Sequence, residues 1–481
     1  MSDLLRKHAD VQPEAPALFT PSRLWTYADL DAAVAATQAR LQDEVVDSGM
    51  RVGIHLPRSA NTVVLIWALW RLGAVAVPLS TRLPAAQVAA QARQVGAEIL
   101  IADKRDLRTQ SSDTLSVLPP EQVVREGGGA ASVEPGKHPR DRPATIIFTS
   151  GSTGTPKAAL HSWDNHLYSA KGANANVPLR RDDRWLLSLP LYHVGGLAIL
   201  VRCALAGAAV ALPDPEVSLA DAVVATGATH LSLVATQFRR ILEKTEGGPP
   251  SHLRAVLLGG GPVPEDLIRE GVERGWPLHT TYGCTEMASQ VSTTAPGAPD
   301  DDLQTAGRRL PHRRVRIDDG HILVAGAPLF RGYVTADGLE DPRTEDGWYS
   351  TGDRGRLDAS GRLHVQGRLD RTFISGGENV QPEEIETVIE GLEGVVRALV
   401  VPVPDAEYGQ RPIAFLRTEH ALSDLGLERA LEPLLPRFKI PDAFHVLPDE
   451  AMTDSLKVDR EYLRKKARML HDQGAAGMDD L

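Results

Sequence analysis

The sequence has little cysteine: only Cys203 and Cys284. Two thiols that far apart exclude a disulfide framework and fit no metal-ligating pair. A reducing, cytoplasmic compartment is expected. Positive charge is not in excess either. Lys and Arg number 52 against 63 Asp and Glu, a formal charge of −11. That excludes a globally basic surface for nucleic acid, and the acidity itself reads as solubility. Anionic substrates would therefore have to be held by local groups. Long apolar runs are also missing. The most apolar stretch, TVVLIWALWRLGAVAVPL (62–79), is interrupted by Arg71 and meets Pro78, so it reads as a buried helix and a strand rather than a membrane span. The first residues, MSDLLRKHADVQPEAPAL, hold no apolar core of signal-peptide length.

What is present points to a large α/β protein. At 481 residues and 42% apolar, the chain needs more than one core. Helical and strand patterns alternate from the start: helix 26–45, strand 51–56, helix 59–73 with Ser59 or Asn61 to cap it and Gly73 to end it, then strand, helix and strand again. This rhythm predicts a mostly parallel sheet covered on both faces. A polar stretch, about 104–143, reads as a surface linker. More βα units follow. From about 312 short strands with turns take over, as in RRVRIDDGHILVAG. The last segment, from about 370, has the pattern of a small α+β domain.

One loop carries the first chemical signal. TIIFTSGSTGTPKAAL (145–160) ends an apolar run in Gly, Ser and Thr, then a Lys. It is not a Walker A loop, because Pro156 precedes Lys157 and Ala158 follows it, which removes the usual Mg-binding hydroxyl. The makings of a phosphate cradle remain. Gly151 and Gly154 admit close backbone approach, while Thr149, Ser150, Ser152, Thr153 and Thr155 supply hydroxyls and Lys157 a cation. Taken alone it could be a plain turn. Other segments keep it company. TTYGCTEMASQ brings Tyr282, an aromatic face for a base, and Glu286, a carboxylate suited to Mg²⁺. LLGGGPVP ends a strand at Gly259, Gly260 and Gly261. YSTGDRGRL carries Asp353, suited to ribose hydroxyls, and GRLDRTFISGGENVQPEEIE carries Arg368 and Asp370. SLKVDR carries Lys457. Each piece has a bland reading as a core ring, an Asx turn or a surface charge. Their occurrence together, in this order, does not.

FTSGSTGTPK, YGCTE, STGD, GRLDR and SLKVDR resemble, in order, the core motifs of the adenylate-forming superfamily of acyl-CoA synthetases, luciferases and peptide-synthetase adenylation domains. The resemblance covers nearly the whole chain. It implies an α/β fold: a large N-terminal domain (1–369) of βαβ layers with a small β-barrel-like part, and a smaller mobile α+β C-terminal domain (370–481). It also implies an AMP-forming acid–thiol ligase using ATP, Mg²⁺ and coenzyme A. Thr149, Ser150, Gly151, Ser152, Thr153, Gly154 and Lys157 would then hold the phosphates. Thr285 would contact the α-phosphate and Glu286 would hold Mg²⁺. Tyr282 with Gly259–Gly261 would flank adenine, and Asp353 with Arg368 would hold the ribose. Lys457 would assist adenylation, Asp370 would be the hinge, and Gly376 and Gly377 would line the CoA tunnel. The family has Gly before this Lys, where the chain has Leu456.

YGCTEMASQVSTT, FISGGENVQPEEIE, with Ser375 where most of the superfamily has Lys, and VPVPDAEYGQRPIAFL are similar to the 2-succinylbenzoate–CoA ligases of menaquinone biosynthesis. The substrate implied is an aromatic dicarboxylate. Its pocket would involve His193 at the mouth, with Gln237, Ser289, Gln290 and Thr293 as polar lining. The carboxylate that does not react needs a partner; Ser289, Gln290 and Thr293 could supply polar contacts or hold waters and Arg202 is a possible cation, and the sequence does not choose among them. Another aryl- or acyl-CoA ligase, and a stand-alone adenylation domain loading a carrier protein, share the same machinery.

Overall fold

A computed structural model describes residues 3–44, 46–103, 107, 114–125, 139–149, 156–375, 378–405, 408–420, 423–451 and 458–476. The chain divides into two compact units. The larger comprises Met1–Arg316, Leu323–Thr351 and Leu357–Leu363; the smaller comprises Ile317–Ile322, Gly352–Arg356 and His364–Leu481.

Two large sheets build the first unit. The nine-stranded one has a parallel centre, running Leu278–Cys284, Ala255–Leu258, His230–Leu233, Arg184–Leu186, Ala209–Ala211 and Pro16–Phe19 in spatial order. The eight-stranded one is parallel through Pro143–Thr149, Val75–Pro78, Arg51–His55, Ile99–Ala102 and Ser116–Leu118, and antiparallel beyond Lys157–Ser162. One core joins them. Leu18, Trp185 and Val210 of the first sheet and Ile54, Ala76 and Ile147 of the second belong to it, with the helices Tyr27–Asp43, Ala60–Leu72, Trp163–Asn176 and Val194–Ala206. Ala60–Leu72 and Val194–Ala206 are apolar on most faces because they are buried in that shared core.

Local signals explain the boundaries. Ser59 caps the helix Ala60–Leu72 by accepting from the Thr62 amide, and Gly73 ends it at φ +92°, where an L side chain would be strained. Thr26 and Asp29 form a reciprocal capping box on Tyr27–Asp43. Asp319 and Gly320 turn the chain between Arg313–Asp318 and His321–Gly326, both at positive φ, as a two-residue hairpin of matching twist requires. These two strands, with Tyr349–Leu357 and Leu363–Arg368, form an open four-stranded sheet. The expected barrel-like part is thus an open sheet, and no closed barrel forms among the described residues.

The smaller unit shows period-two burial. Along Val395–Asp405 and Gly409–Thr418, Ala398, Val400, Ala414 and Leu416 pack with the helix Pro382–Glu390. Leu399, Val401, Ile413 and Phe415 pack with Leu463 and Ala467 of the helix Arg460–Ala476. Successive side chains point to opposite faces, so the sheet holds one helix on each side. Arg460 ties the start of the last helix to Glu386 by two contacts, 2.6 and 2.7 Å, and Glu386 also accepts from the Val400 amide at 2.7 Å. Among the described residues no helix is long and apolar enough to cross a membrane.

Candidate active site

The phosphate-loop candidates straddle a hairpin. Thr149 ends Pro143–Thr149 and pairs across to Lys157, the first residue of the returning strand. Ser150, Gly151, Ser152, Thr153 and Gly154 lie outside the described residues, as do Gly376, Gly377 and Lys457. The hairpin base fixes where the cation of Lys157 leaves the sheet. Its ammonium lies 5.0 Å from the ring centroid of Tyr333.

Tyr333 leads to the second candidate. Its hydroxyl donates to Glu286 Oε1 at 2.6 Å and contacts the Tyr349 hydroxyl at 2.8 Å. Glu286 is 9% exposed and sits in a single 3₁₀ turn, Thr285–Met287, directly after the strand Leu278–Cys284. Two further contacts clamp that turn to the other sheet. His161 Nε2 lies 2.7 Å from the Thr285 carbonyl, and the Phe330 amide donates to the Glu286 carbonyl at 2.7 Å. The turn that carries Thr285 and Glu286 is therefore held from its backbone and from its side chain. Burial pushes the His161 imidazole down to about 4, so it is neutral at pH 7. Tyr333 and Tyr349 were not singled out in the sequence. The visible signal was only an aromatic residue after Arg-Gly in FRGYVT, which reads as ordinary core.

Gly259–Gly261 follow Ala255–Leu258, which is parallel to and paired with the Tyr282 strand through Leu258 and Thr280. Both segments emerge at carboxyl ends of adjacent parallel strands, where open α/β sheets bind ligands. A Cβ on Gly259 would lie 2.6 Å from Thr281 Cγ2, so glycine there permits close approach of the two segments. Tyr282 is half-buried beside them.

In the smaller unit Asp353 is 9% exposed, and Arg368 Nη1 donates to its Oδ1 at 3.4 Å. Gly352, at φ +74°, leaves space that the Arg368 guanidinium occupies; a Cβ would come within 3.1 Å of it. The structure therefore brings Asp353 and Arg368 together. Asp370 lies in the 3₁₀ turn Leu369–Arg371.

The acyl-pocket candidates divide. His193 occupies the N-cap position of Val194–Ala206, without a side-chain cap bond, and stands edge-on to Tyr192 at 4.7 Å. Gly196 lets the helix begin there, since a Cβ would lie 2.2 Å from the Pro190 carbonyl. Gln237 is occupied locally: its Oε1 accepts from the Val234 amide at 3.1 Å and its Nε2 reaches the Ser188 carbonyl at 3.5 Å. Gln290 and Thr293 bond to each other at 2.7 Å, and Gln290 also reaches Thr281 at 3.2 Å. Ser289 is half-buried at φ +130°. Arg202 differs from these. It is 3% exposed, its guanidinium lies 3.9 Å from the Trp185 ring, and its Nε donates to Asn174 at 3.3 Å. Its Nη2 has no hydrogen-bond partner among the described residues. Burial pushes Arg202 down to about 9, so it is still charged at pH 7.

No cluster of three or more His, Cys, Asp or Glu able to hold a metal occurs among the described residues. One buried carboxylate, Glu286, bonded to the Tyr333 whose ring Lys157 approaches, fits Mg²⁺, which takes one or two carboxylates and completes its shell with phosphate oxygens and water.

Comparison with known proteins agrees with this geometry. Residues 5–334 match the AMP-binding enzyme family. A 2-succinylbenzoate–CoA ligase from Bacillus pumilus (strain SAFR-032) is 33% identical over 484 residues, covering 96% of this chain and 97% of the relative. The o-succinylbenzoate CoA synthetase from Bacillus subtilis in complex with the acyl-adenylate intermediate OSB-AMP superposes with a TM-score of 0.90 at 30% identity, over 96% of this chain and 98% of that one. The same enzyme in complex with ATP and magnesium ion gives 0.86 at 31%, over 92% and 95%.

Proposed function

This chain belongs to the AMP-binding enzyme family, and from that premise we propose that it joins 2-succinylbenzoate to coenzyme A through an acyl-adenylate, cleaving ATP to AMP and pyrophosphate. The similarity along 96% of the chain to ligases of that name carries the reading. We infer a place in menaquinone biosynthesis and a cytoplasmic location.

In the first half-reaction a carboxylate oxygen attacks the α-phosphorus of ATP, and the bond to pyrophosphate breaks. Two anions must meet, so fixed positive charge and hydrogen-bond donors lower the barrier most. Thr149, Lys157 and the intervening loop are assigned to the β- and γ-phosphates, and Thr285 to the α-phosphate. Glu286 would hold Mg²⁺, whose charge offsets that of the phosphates when it is bound. Gly259–Gly261 and Tyr282 flank adenine in this reading, and Asp353 and Arg368 hold the ribose. Lys457 would bridge the reacting carboxylate and α-phosphate, a contact worth about 3 kcal/mol or more on the scale of a lost oxyanion donor. His193 is assigned to the mouth of the acyl pocket. The buried guanidinium of Arg202, whose Nη2 has no hydrogen-bond partner among the described residues, is the group best suited to the carboxylate that does not react. That favours a dicarboxylic acid over a fatty acid. Gln237, Gln290 and Thr293 already bond within the protein and contribute shape in preference to charge.

In the second half-reaction the CoA sulfur attacks the acyl carbon, the bond to AMP breaks and the thiol proton leaves. The family resemblance assigns this step to a mobile C-terminal domain (370–481) turning about Asp370, with Gly376 and Gly377 along the pantetheine path.

The test is isotopic. With ¹⁸O in both carboxylates of the acid, AMP should carry one labelled oxygen after turnover with CoA. Label found in phosphate or pyrophosphate, and none in AMP, would contradict an acyl-adenylate.

A further inference from the structure

Glu286 and Lys157, the carboxylate and the cation assigned to the phosphates, come from different sheets, and one side chain touches both. Tyr333 lies in the strand Gly332–Thr335, directly opposite Ala159 on the strand that Lys157 begins. It is 5% exposed. Phe330 packs edge-on against its ring at 4.8 Å and against Tyr349 at 5.3 Å. The Tyr333 hydroxyl has one proton, and it is committed to Glu286 Oε1 at 2.6 Å. At the 2.8 Å contact with Tyr349 it must therefore accept. The relay runs one way, from Tyr349 through Tyr333 to Glu286. Lys157, 5.0 Å from the centroid of the same ring, is within range of a cation–π contact.

We propose that Tyr333 is the positioning residue of this site: its hydroxyl fixes the Glu286 carboxylate so that Oε2 is the oxygen offered to a metal, and its ring seats the Lys157 ammonium. A single side chain then sets the spacing between the metal-holding carboxylate and the phosphate-holding cation. Tyr349 acts behind it by orienting the hydroxyl. The inference rests on the proposed role of Glu286 toward Mg²⁺ and deepens it.

The test is calorimetric titration of ATP into the full chain, with Mg²⁺ and with EDTA. Tyr333→Phe keeps the ring and removes the hydroxyl. It should weaken ATP binding roughly tenfold with Mg²⁺, the scale of one lost bond to a charged group, and less than about twofold in EDTA. Tyr333→Leu removes the ring as well and should also weaken binding in EDTA, by roughly threefold or more, because Lys157 loses its seat. Tyr349→Phe should reproduce part of the Mg²⁺-specific loss. In a Glu286→Gln background, Tyr333→Phe should add less than about twofold, since its partner is already gone. Equal weakening with and without Mg²⁺ would mean that Tyr333 only supports the fold, and no weakening in either condition would mean that its bond to Glu286 is idle. Either result overturns the inference. Failure of the ligase reading appears elsewhere, as absent acid-dependent exchange of pyrophosphate into ATP in the wild-type chain, and leaves the calorimetric ratio readable.

Discussion

Replacing Arg202 with methionine should separate stability from substrate choice. The guanidinium is 3% exposed, and its Nη2 has no hydrogen-bond partner among the described residues. A buried donor without a partner costs about 1–3 kcal/mol. Against that, the wild type gains a 3.3 Å bond to Asn174, about 1 kcal/mol, and the contact with Trp185 at 3.9 Å, about 1–2 kcal/mol when desolvated. The two sides nearly cancel. Methionine fills similar space without a charge, so unfolding by urea at pH 7 should change by no more than about 1 kcal/mol. Acid recognition should not be spared. A charge-assisted bond to the second carboxylate is worth about 1.5–3 kcal/mol, so kcat/KM for 2-succinylbenzoate should fall roughly ten- to 150-fold. A monocarboxylate such as benzoate has nothing to offer that guanidinium, and its kcat/KM should change less than about threefold. The assay is pyrophosphate release against acid concentration at saturating ATP. Equal losses for both acids, or a large loss of stability with no change in discrimination, would refute the assignment of Arg202.

Three further outcomes follow from the geometry. His161 is held neutral by burial at a value of about 4, below the unfolded value of about 6.5. Its contribution is therefore complete above pH 6.5 and is lost as pH falls toward 4. The gap of about 2.5 units corresponds to about 3 kcal/mol, so urea unfolding should show a loss of about 2 kcal/mol between pH 7 and pH 5 from this residue; a flat profile would contradict it. Gly196→Ala places a Cβ 2.2 Å from the Pro190 carbonyl, and the displaced His193 turn should cost roughly 100-fold in kcat/KM for the acid, with the KM for ATP changed far less. Glu386→Gln breaks the paired contact to Arg460 and should destabilise the smaller unit by about 3 kcal/mol, read as faster hydrogen exchange in Val395–Asp405 than in the strands of the larger unit.

Much of the fold was legible because its signals are local. Ser59 and Gly73 bracket one helix, and Asp319–Gly320 mark one turn. Alternating apolar residues in the last segment give both faces of its sheet. Closure of the small sheet was not legible, since it depends on pairing between strands distant in sequence, and it came out open. The site divides in the same way. Thr149 and Lys157 stand out as the ends of a Gly-rich loop. Gln237 looks like a pocket residue in sequence, yet its place three residues after Val234 makes it a helix cap. Tyr333 could not be picked out, because the bond that gives it importance spans 47 positions and joins two sheets.

The central claim is most directly tested by pyrophosphate release over a panel of acids, with and without CoA. The account predicts that 2-succinylbenzoate far outpaces benzoate and fatty acids, and that AMP and the thioester accumulate together only when CoA is present. Turnover of 2-succinylbenzoate no faster than that of the other acids, or transfer to a carrier protein in place of CoA, would contradict it.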